Sequence, residues 1–439
     1  MKVNLKKVFF FIICCCFIFS YTYFCSTLFN DEIWNYGFAY NIASGLVPYR
    51  DFNMIVTPLY SFLASVFIII FGHHLWSIHI LNALMITSML FFMSKVIGKK
   101  IMILFPVLLF YSYYPGYNLL TLFFLITLLF MCDNEVNNDI LFGIIVGLIF
   151  LTKQTVGICL TIPVIFYSKS KKKTIISFMI PILLFLIYLI YNNALFQFID
   201  YCFLGMFDFC NSNKMYLFFP IEVIICIVLF CLLIKSNFKD KELFYVLMYQ
   251  IITVPICDSS HFMMGFIPIF YYILKNICIV KYRIKYYFVI ILFTTMIWNY
   301  SSNDYKEIHF YSDKSSYLYG RYVDKYIEDS ISVISDYMER VKNDYDFIYL
   351  LTQNSYEIKL NTSYPINKFD LINNGNMGYH GSDKYINEIQ KNCSDNSCLF
   401  ICYRYENKIT QTNFSIIDYV YNNYKRQEDV DVFDIFDNS

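Results

Sequence analysis

Long apolar runs, separated by short clusters of lysine and arginine, fill residues 1–300 of this chain. A run of about 20 apolar residues is enough for a helix to cross the hydrocarbon core of a bilayer. The chain is 58% apolar and 15% charged, whereas soluble domains carry about 25% charged residues. The runs therefore predict a polytopic α-helical protein of the cell membrane. The lipid bilayer is its expected partner, and no nucleic-acid partner is expected.

Lysines and arginines orient the predicted spans, because cytoplasmic loops of membrane proteins carry an excess of both. Lys2, Lys6 and Lys7 place the N-terminus in the cytoplasm, as part of a retained signal anchor. The run at 59–71, with about 13 residues, is short for a span and is predicted to lie at the interface. The pattern predicts about eleven spans, with the C-terminal segment outside. They are 8–28, 76–97, 101–114, 117–131, 140–152, 155–168, 174–191, 216–234, 243–256, 262–280 and 286–300.

From Ser301 onward the charged fraction rises and the long apolar runs stop. Apolar strands alternate there with helical patterns, which predicts an extracytoplasmic α/β domain at 301–439 with a largely parallel sheet. Cys393 and Cys398 lie in this polar segment, where a disulfide is allowed. The predicted helices are 322–341, 384–390 and 414–424, and the predicted strands are 346–351, 398–402 and 430–436.

Two adjacent carboxylates, Asp31 and Glu32, open the first outer loop at 29–75. Acidic groups at the mouth of a membrane helix are costly, which favours a functional reading. Asp31 could take the proton from an attacking hydroxyl as a general base. The pair could also hold a divalent cation such as Mg²⁺ or Mn²⁺ through oxygen ligands. The alternative is that Asp31 caps a helix that begins near Ile33, because aspartate is a good N-cap.

Lys153, Asp258 and His261 are further polar residues that the predicted topology places on the outer side. A fixed cation such as Lys153 could stabilise the charge that grows on a departing phosphate. Alternatively, Lys153 snorkels and only marks a helix end. His261, with Asp258, could orient a phosphate or bind a metal. Isolated loop histidines are more often structural, and no other residue at ligand spacing accompanies this one.

The first outer loop resembles that of GT-C glycosyltransferases, most closely glycosyltransferase family 39, the protein O-mannosyltransferase and aminoarabinose-transferase group. Gly147–Gly157, which contains Lys153, is similar to a later segment of the same group. His79 departs from the pattern, since the family often has an arginine there, and Pro58 stands alone where a proline pair is common. The loop residues that carry the resemblance are Asp31, Glu32, Tyr36, Ala39, Gly45, Pro48, Tyr49, Asp51, Thr57, Pro58, Leu59, Phe71 and Gly72.

This resemblance implies a GT-C-like membrane domain and a sugar donor linked to polyprenyl phosphate, used on the outer face with inversion at the anomeric carbon. Asp31 would be the catalytic base, and Glu32 would position the acceptor or Asp31. Lys153, Gln154 and His261 would bind the donor phosphate. The implied acceptor is a cell-surface glycan, lipid or protein. The substrate-contacting residues of the loop would be Tyr36, Tyr49, Arg50 and Asp51.

Three other functions compete with this interpretation. A polysaccharide polymerase or ligase also uses polyprenyl-linked sugars, but typically has a large outer loop rich in arginine and histidine. Here the outer loops are nearly free of arginine. A transporter or scaffold would tolerate Asp31→Asn and would carry paired polar residues deep within its spans. A catalytically inactive relative of the glycosyltransferases is the third alternative.

Overall fold

The computed structural model of the chain describes most of its residues, in eleven ranges. The predicted span 286–300 and the end of the predicted span 262–280 lie outside these ranges. The described residues are 5–24, 30–111, 115–212, 218–276, 308–311, 314, 316–352, 355–362, 372, 375–404 and 414–438.

The membrane part is built from helices whose bounds follow the apolar runs closely. Local signals set several of the ends. Gly98, with positive φ, follows α4, and the Asn138 side chain accepts a hydrogen bond from Leu141 N at the start of α7. The helices are α1 Leu5–Phe24, α2 Asn30–Ala43, α3 Leu59–Phe71, α4 Trp76–Ile97, α5 Ile101–Tyr111, α6 Tyr117–Asp133, α7 Asp139–Phe150, α8 Gln154–Tyr167, α9 Lys171–Tyr191, α10 Leu195–Ile199, α11 Gly205–Ser212, α12 Phe219–Lys235, α13 Lys241–Tyr249 and α14 Ser259–Asn276.

Within the described ranges, three helical segments are long and apolar enough to cross a bilayer: Leu5–Phe24, Trp76–Leu109 and Lys171–Tyr191. Four further apolar helices are shorter, including α3, which has the bounds predicted for an interfacial helix. Many large apolar side chains of α9 and α12 face outward, as lipid-facing helices require. These features are those of a membrane protein, while the number and direction of the spans stay predictions.

The segment predicted as an outer loop at 192–215 is mostly helical instead. α10 runs into a π-helical turn at Asp200–Leu204, and α11 follows directly. The sequence lacks a long apolar run here, which led to the loop prediction. Short helices can form without a long apolar run when a neighbouring domain covers them. Asp200 accepts a hydrogen bond from Lys384 Nζ at 2.7 Å, and Asp208 accepts one from His380 N at 2.7 Å.

Residues 308–438, where described, form an α/β unit, which we call the tail. Its sheet is mixed rather than largely parallel. The strands Phe347–Leu351 (β3) and Cys398–Tyr403 (β4) are parallel. Phe433–Asp437 (β6) pairs antiparallel with both β4 and Lys425–Val430 (β5), in the order β3-β4-β6-β5. Cys393 and Cys398 form a disulfide. The strands are β1 Ile308–Phe310, β2 Tyr322–Asp324, β3 Phe347–Leu351, β4 Cys398–Tyr403, β5 Lys425–Val430 and β6 Phe433–Asp437, and the helices are α15 Lys325–Val341, α16 Ser355–Asn361, α17 Gly381–Cys393 and α18 Phe414–Asn423.

The tail packs directly on the first outer loop. The Tyr356 ring of α16 lies over Gly37 of α2, where an added Cβ would come within 2.2 Å of the ring. The Asn53 side chain donates a hydrogen bond to Asn376 O at 2.9 Å, in a buried position. The loop is therefore enclosed between the helices of the membrane part and the tail.

Candidate functional site

Helix α2 holds Asp31 and Glu32 in opposite environments. The helix already includes Asn30, so Asp31 lies in its first turn and is not the N-cap that the alternative interpretation required. Its backbone oxygen accepts a hydrogen bond from Asn35 Nδ2 at 2.6 Å. The Asp31 side chain is accessible to solvent, whereas Glu32 is buried. Adjacent residues point about 100° apart around a helix, which separates the two carboxylates.

Both oxygens of Glu32 are engaged by cationic or ring nitrogen groups. Oε1 lies 2.5 Å from His79 Nε2, and Oε2 accepts a hydrogen bond from Arg321 Nη2 at 2.8 Å. The three side chains are 0–1% exposed. A charge buried this deeply needs such partners. Glu32 therefore does not reach an acceptor, and it does not share a cation with Asp31.

Lys153 occupies the sharp turn between α7 and α8. The turn is tight because Gly157 packs on Phe150, where an added Cβ would come within 2.3 Å of Phe150 Cα. The Lys153 side chain is half-buried, and its ammonium donates a hydrogen bond to Asn118 Oδ1 of α6 at 3.0 Å. The same Nζ lies 5.7 Å from the centre of the Tyr117 ring. Lys153 thus turns inward to a neighbouring helix rather than only outward to solvent.

Asp258 and His261 form a hydrogen-bonded pair at the start of α14. Asp258 Oδ1 lies 2.9 Å from His261 Nδ1 and accepts the His261 backbone N–H at 2.8 Å. Burial opposes ionisation of Asp258, but these hydrogen bonds from His261 outweigh it and hold the pKa of Asp258 below its usual value. His261 is therefore accompanied by a carboxylate, although spacing alone favoured a structural histidine.

Charge interactions bring Asp31, Lys153, Asp258 and His261 into one site. The Asp31 side chain is accessible, but the protein near it still desolvates the carboxylate, and this desolvation raises its pKa. Asp258 adds to the effect and His261 opposes it. Desolvation likewise lowers the pKa of Lys153 to about 8, against the attraction of Asp258. Asp258 thus interacts with both Asp31 and Lys153. An accessible carboxylate of raised pKa and a desolvated cation that share the charged neighbour Asp258 are typical of a functional site.

The remaining predicted residues support the site rather than line it. Gln154 is buried and donates hydrogen bonds to Ile55 O at 3.2 Å and Cys202 O at 2.9 Å, so it anchors the first outer loop. Tyr36 and Tyr49 are fully buried, so neither ring reaches a substrate as placed.

Arg50 and Asp51, the other two loop residues predicted to contact the substrate, lie nearer the surface. Arg50 is exposed and pairs with Asp51 at 2.7 Å, and Asp51 also accepts a hydrogen bond from Val47 N at 2.7 Å. This pair closes the turn between α2 and α3. Of the loop residues predicted to contact substrate, only these two carry charge close to solvent.

The predicted divalent cation does not fit the Asp31–Glu32 pair, because both Glu32 oxygens are already engaged. Across the described ranges, no group of three histidine, cysteine, aspartate or glutamate residues is arranged to hold a metal ion.

Sequence reasoning missed Asn118 and Arg321. Asn118 carries no signal of its own, since one asparagine beside a turn is common. Arg321 stands out only as a cation among the tyrosines at 317–322, and it lies 289 positions from Glu32. It brings a guanidinium within 3.4 Å of His79. His79 is the residue at which the resemblance described above would favour an arginine.

No protein-family model matches this sequence, and no curated protein sequence matches it. A solved structure does: the crystal structure of ArnT from Cupriavidus metallidurans bound to undecaprenyl phosphate. The match has a TM-score of 0.58 and 9% sequence identity, and it covers 100% of this chain and 99% of that chain. At this identity the likeness shows the fold. The chain therefore has the GT-C fold, without evidence for family 39 in particular.

Proposed function

We propose that this chain is an integral membrane glycosyltransferase that transfers a sugar from a polyprenyl-phosphate-linked donor to a cell-surface acceptor. One observation carries the proposal: Asp258 interacts with both an accessible carboxylate, Asp31, and a desolvated cation, Lys153. Glycosyl transfer from a lipid phosphate needs these two groups close together, one for the acceptor proton and one for the leaving phosphate.

In the proposed reaction, the acceptor hydroxyl attacks the anomeric carbon of the sugar and the bond from that carbon to the phosphate oxygen breaks. Asp31 takes the hydroxyl proton as the new bond forms. The polyprenyl phosphate leaves with the additional negative charge, and Lys153 stabilises that charge. Asn118 holds the ammonium in place beforehand, which spares the cost of ordering it during the reaction.

His261 has a supporting role in this scheme. Its ring pairs with Asp258 and opposes the rise in the pKa of Asp31. It therefore helps to keep the base ionised, and it is a second candidate for contact with the donor phosphate. The ArnT structure that shares this fold was obtained with undecaprenyl phosphate. This supports a lipid phosphate of the same class as the carrier here. Membership of family 39 is the finer assignment, and it rests on the resemblance of the first outer loop.

Deleting the gene and restoring it should test the function directly. We expect the deletion strain to lose one sugar from a surface glycan, lipid or protein and to accumulate a polyprenyl-phosphate sugar. Mass spectrometry of both fractions measures the outcome and names the sugar. A polymerase or ligase would instead shorten or release whole glycan chains. Unchanged glycans and unchanged lipid-linked sugars would contradict a transferase of either kind.

The rate of sugar transfer should depend on pH with two limbs. The base must be ionised, so the rate should fall on acidification at a pH above the usual aspartate range, because desolvation raises the pKa of Asp31. The cation must be protonated, so the rate should fall again as the pH passes about 8, the lowered pKa of Lys153. The measurement is the transfer rate in isolated membranes over the pH range.

Lys153→Arg is the control for the alkaline limb, because arginine stays protonated at every pH in question. We expect the alkaline fall to disappear in this variant while the acid limb remains. If the fall in rate at alkaline pH persists unchanged in Lys153→Arg, a group other than Lys153 causes it.

The tail and the site should both lie outside the cytoplasm. The charge clusters in the sequence support this sidedness, since lysines and arginines concentrate at the opposite ends of the helices. A periplasmic-type reporter fused after Ser439 should be active, and the same reporter fused after Lys173 should be inactive. Activity in the second fusion alone would reverse the predicted topology.

A further inference from the structure

Residues 316–321 of the tail, which lie between β1 and β2, pack against three helices of the membrane part. Tyr319 O accepts a hydrogen bond from Tyr23 OH of α1 at 2.6 Å. Tyr317 O accepts one from Leu75 N, before α4, at 2.8 Å, and its ring stacks on Tyr36 of α2 with centroids 5.9 Å apart. The segment is thus fixed to the membrane part by both backbone and ring contacts.

Arg321 extends these contacts into the interior. Its Nη1 donates a hydrogen bond to Tyr23 O at 2.9 Å, and its Nη2 donates one to Glu32 Oε2 at 2.8 Å. The guanidinium also lies 5.1 Å from the centre of the Tyr23 ring. The side chain is 0% exposed. The planar guanidinium reaches two acceptors in fixed directions, which a lysine ammonium cannot reproduce.

The partner of Arg321 is next to Asp31 in sequence and in the same helical turn. We propose that Arg321 is a positioning residue for Asp31: by binding Glu32 it fixes the first turn of α2, so the tail completes the site. This inference rests on the proposed function for its catalytic meaning. It also gives the tail a role, because Arg321, which follows the predicted spans in the sequence, would position Asp31, which precedes nearly all of them.

A second contact between the tail and α2 supports the inference independently. The Tyr356 ring packs on Gly37, in the middle of α2, and meets Phe38 edge-on with centroids 5.7 Å apart. The tail therefore contacts α2 at its first turn and at its centre. A helix held at two points cannot rotate freely, and a base must be held within a fraction of an ångström of its productive geometry.

The test compares Arg321→Met with the double variant Glu32→Gln/Arg321→Met. Removing one partner of a buried ion pair leaves an unpaired charge, while removing both is far less destabilising. We therefore expect Arg321→Met to lower the Tm of the purified full chain by several degrees, and the double variant to recover most of the loss. The surface glycan should be lost in both variants, because in neither of them does residue 321 bind Glu32 and fix the first turn of α2. Arg321→Lys, which reaches one acceptor only, should be intermediate.

A labelling measurement reads the position of residue 31 without relying on activity. Asp31→Cys in the full chain is modified with a membrane-impermeant maleimide, and the chain without this substitution gives the background from native cysteines. We expect Arg321→Met to change the labelling rate several-fold. Arg404→Met is the matched control, since Arg404 pairs with Asp434 within the tail, and it should leave the rate unchanged.

The outcomes separate positioning from a purely structural role. The inference would be overturned by two results together. The labelling rate of Asp31→Cys would be the same with Arg321→Met as with Arg404→Met, and the surface glycan would return whenever the Tm returns. A changed labelling rate together with a normal glycan in Asp31→Asn would instead overturn the proposed function and leave the positioning of residue 31 by Arg321 in place.

Discussion

We expect Asp31→Asn to lower the rate of sugar transfer by about 10²- to 10⁴-fold, the usual contribution of a general base. Asparagine keeps the size of the side chain but cannot take the acceptor proton. The fold should be unaffected, because the Asp31 side chain is accessible and the hydrogen bond from Asn35 goes to the backbone oxygen. Transfer in isolated membranes, with expression and Tm confirmed for each variant, measures the effect.

Asp395→Asn is the matched control, since it makes the same chemical change at an exposed position of the tail. Its transfer rate and Tm should equal those of the wild type. Suppose that Asp31→Asn also transfers at the wild-type rate while the deletion strain has lost the sugar. Asp31 would then not be the base, and a transport or scaffold role, which tolerates this change, would become the leading explanation.

Helix bounds in the membrane part could be predicted because their signals are local. The run at 59–71 ends at Gly72, and the next run begins at Trp76 and ends at Gly98. The structure has helices with these limits. The three predicted strands and three predicted helices of the tail lie close to β3, β4 and β6 and to α15, α17 and α18, since these follow the alternation of apolar runs and helical patterns. The elements β1, β2, β5 and α16 were not predicted.

Sheet pairing in the tail could not be predicted from the same signals. β5, with the sequence Lys-Arg-Gln-Glu-Asp-Val, is an exposed edge strand without an apolar alternation. It forms because the chain reverses at Asp431, which has positive φ, and pairs with the buried β6. The pairing is therefore set by a turn and by the partner strand, and this makes the sheet mixed.

The site shows the same division between local and distant signals. Asp31 and Lys153 were predicted because each is a charged residue beside an apolar run, a cost visible in the sequence. The ion pair between Glu32 and Arg321 joins the first outer loop to the tail, and no short-range pattern records it. The accessibility of Asp31 and the burial of Glu32 likewise follow from this distant pairing.

If the proposed function holds, we expect Lys153→Ala to weaken binding of undecaprenyl phosphate by about 10- to 100-fold, the factor expected for losing one hydrogen bond from a charged group. The ammonium is desolvated, as its pKa of about 8 indicates, so its attraction for an anion is weakly screened by water. A titration of the purified full chain with undecaprenyl phosphate measures the Kd. Choice of acceptor should not change.

Lys169→Ala is the control for this measurement, because Lys169 is an exposed lysine in a predicted cytoplasmic loop and should not affect the Kd. Unchanged affinity in Lys153→Ala would restore the interpretation of Lys153 as a lysine that only marks a helix end. The hydrogen bond to Asn118 argues against that interpretation, because a snorkelling lysine extends its ammonium to water and needs no partner on a neighbouring helix. Since Asn118 accepts a single hydrogen bond, the ammonium retains donors for a phosphate oxygen.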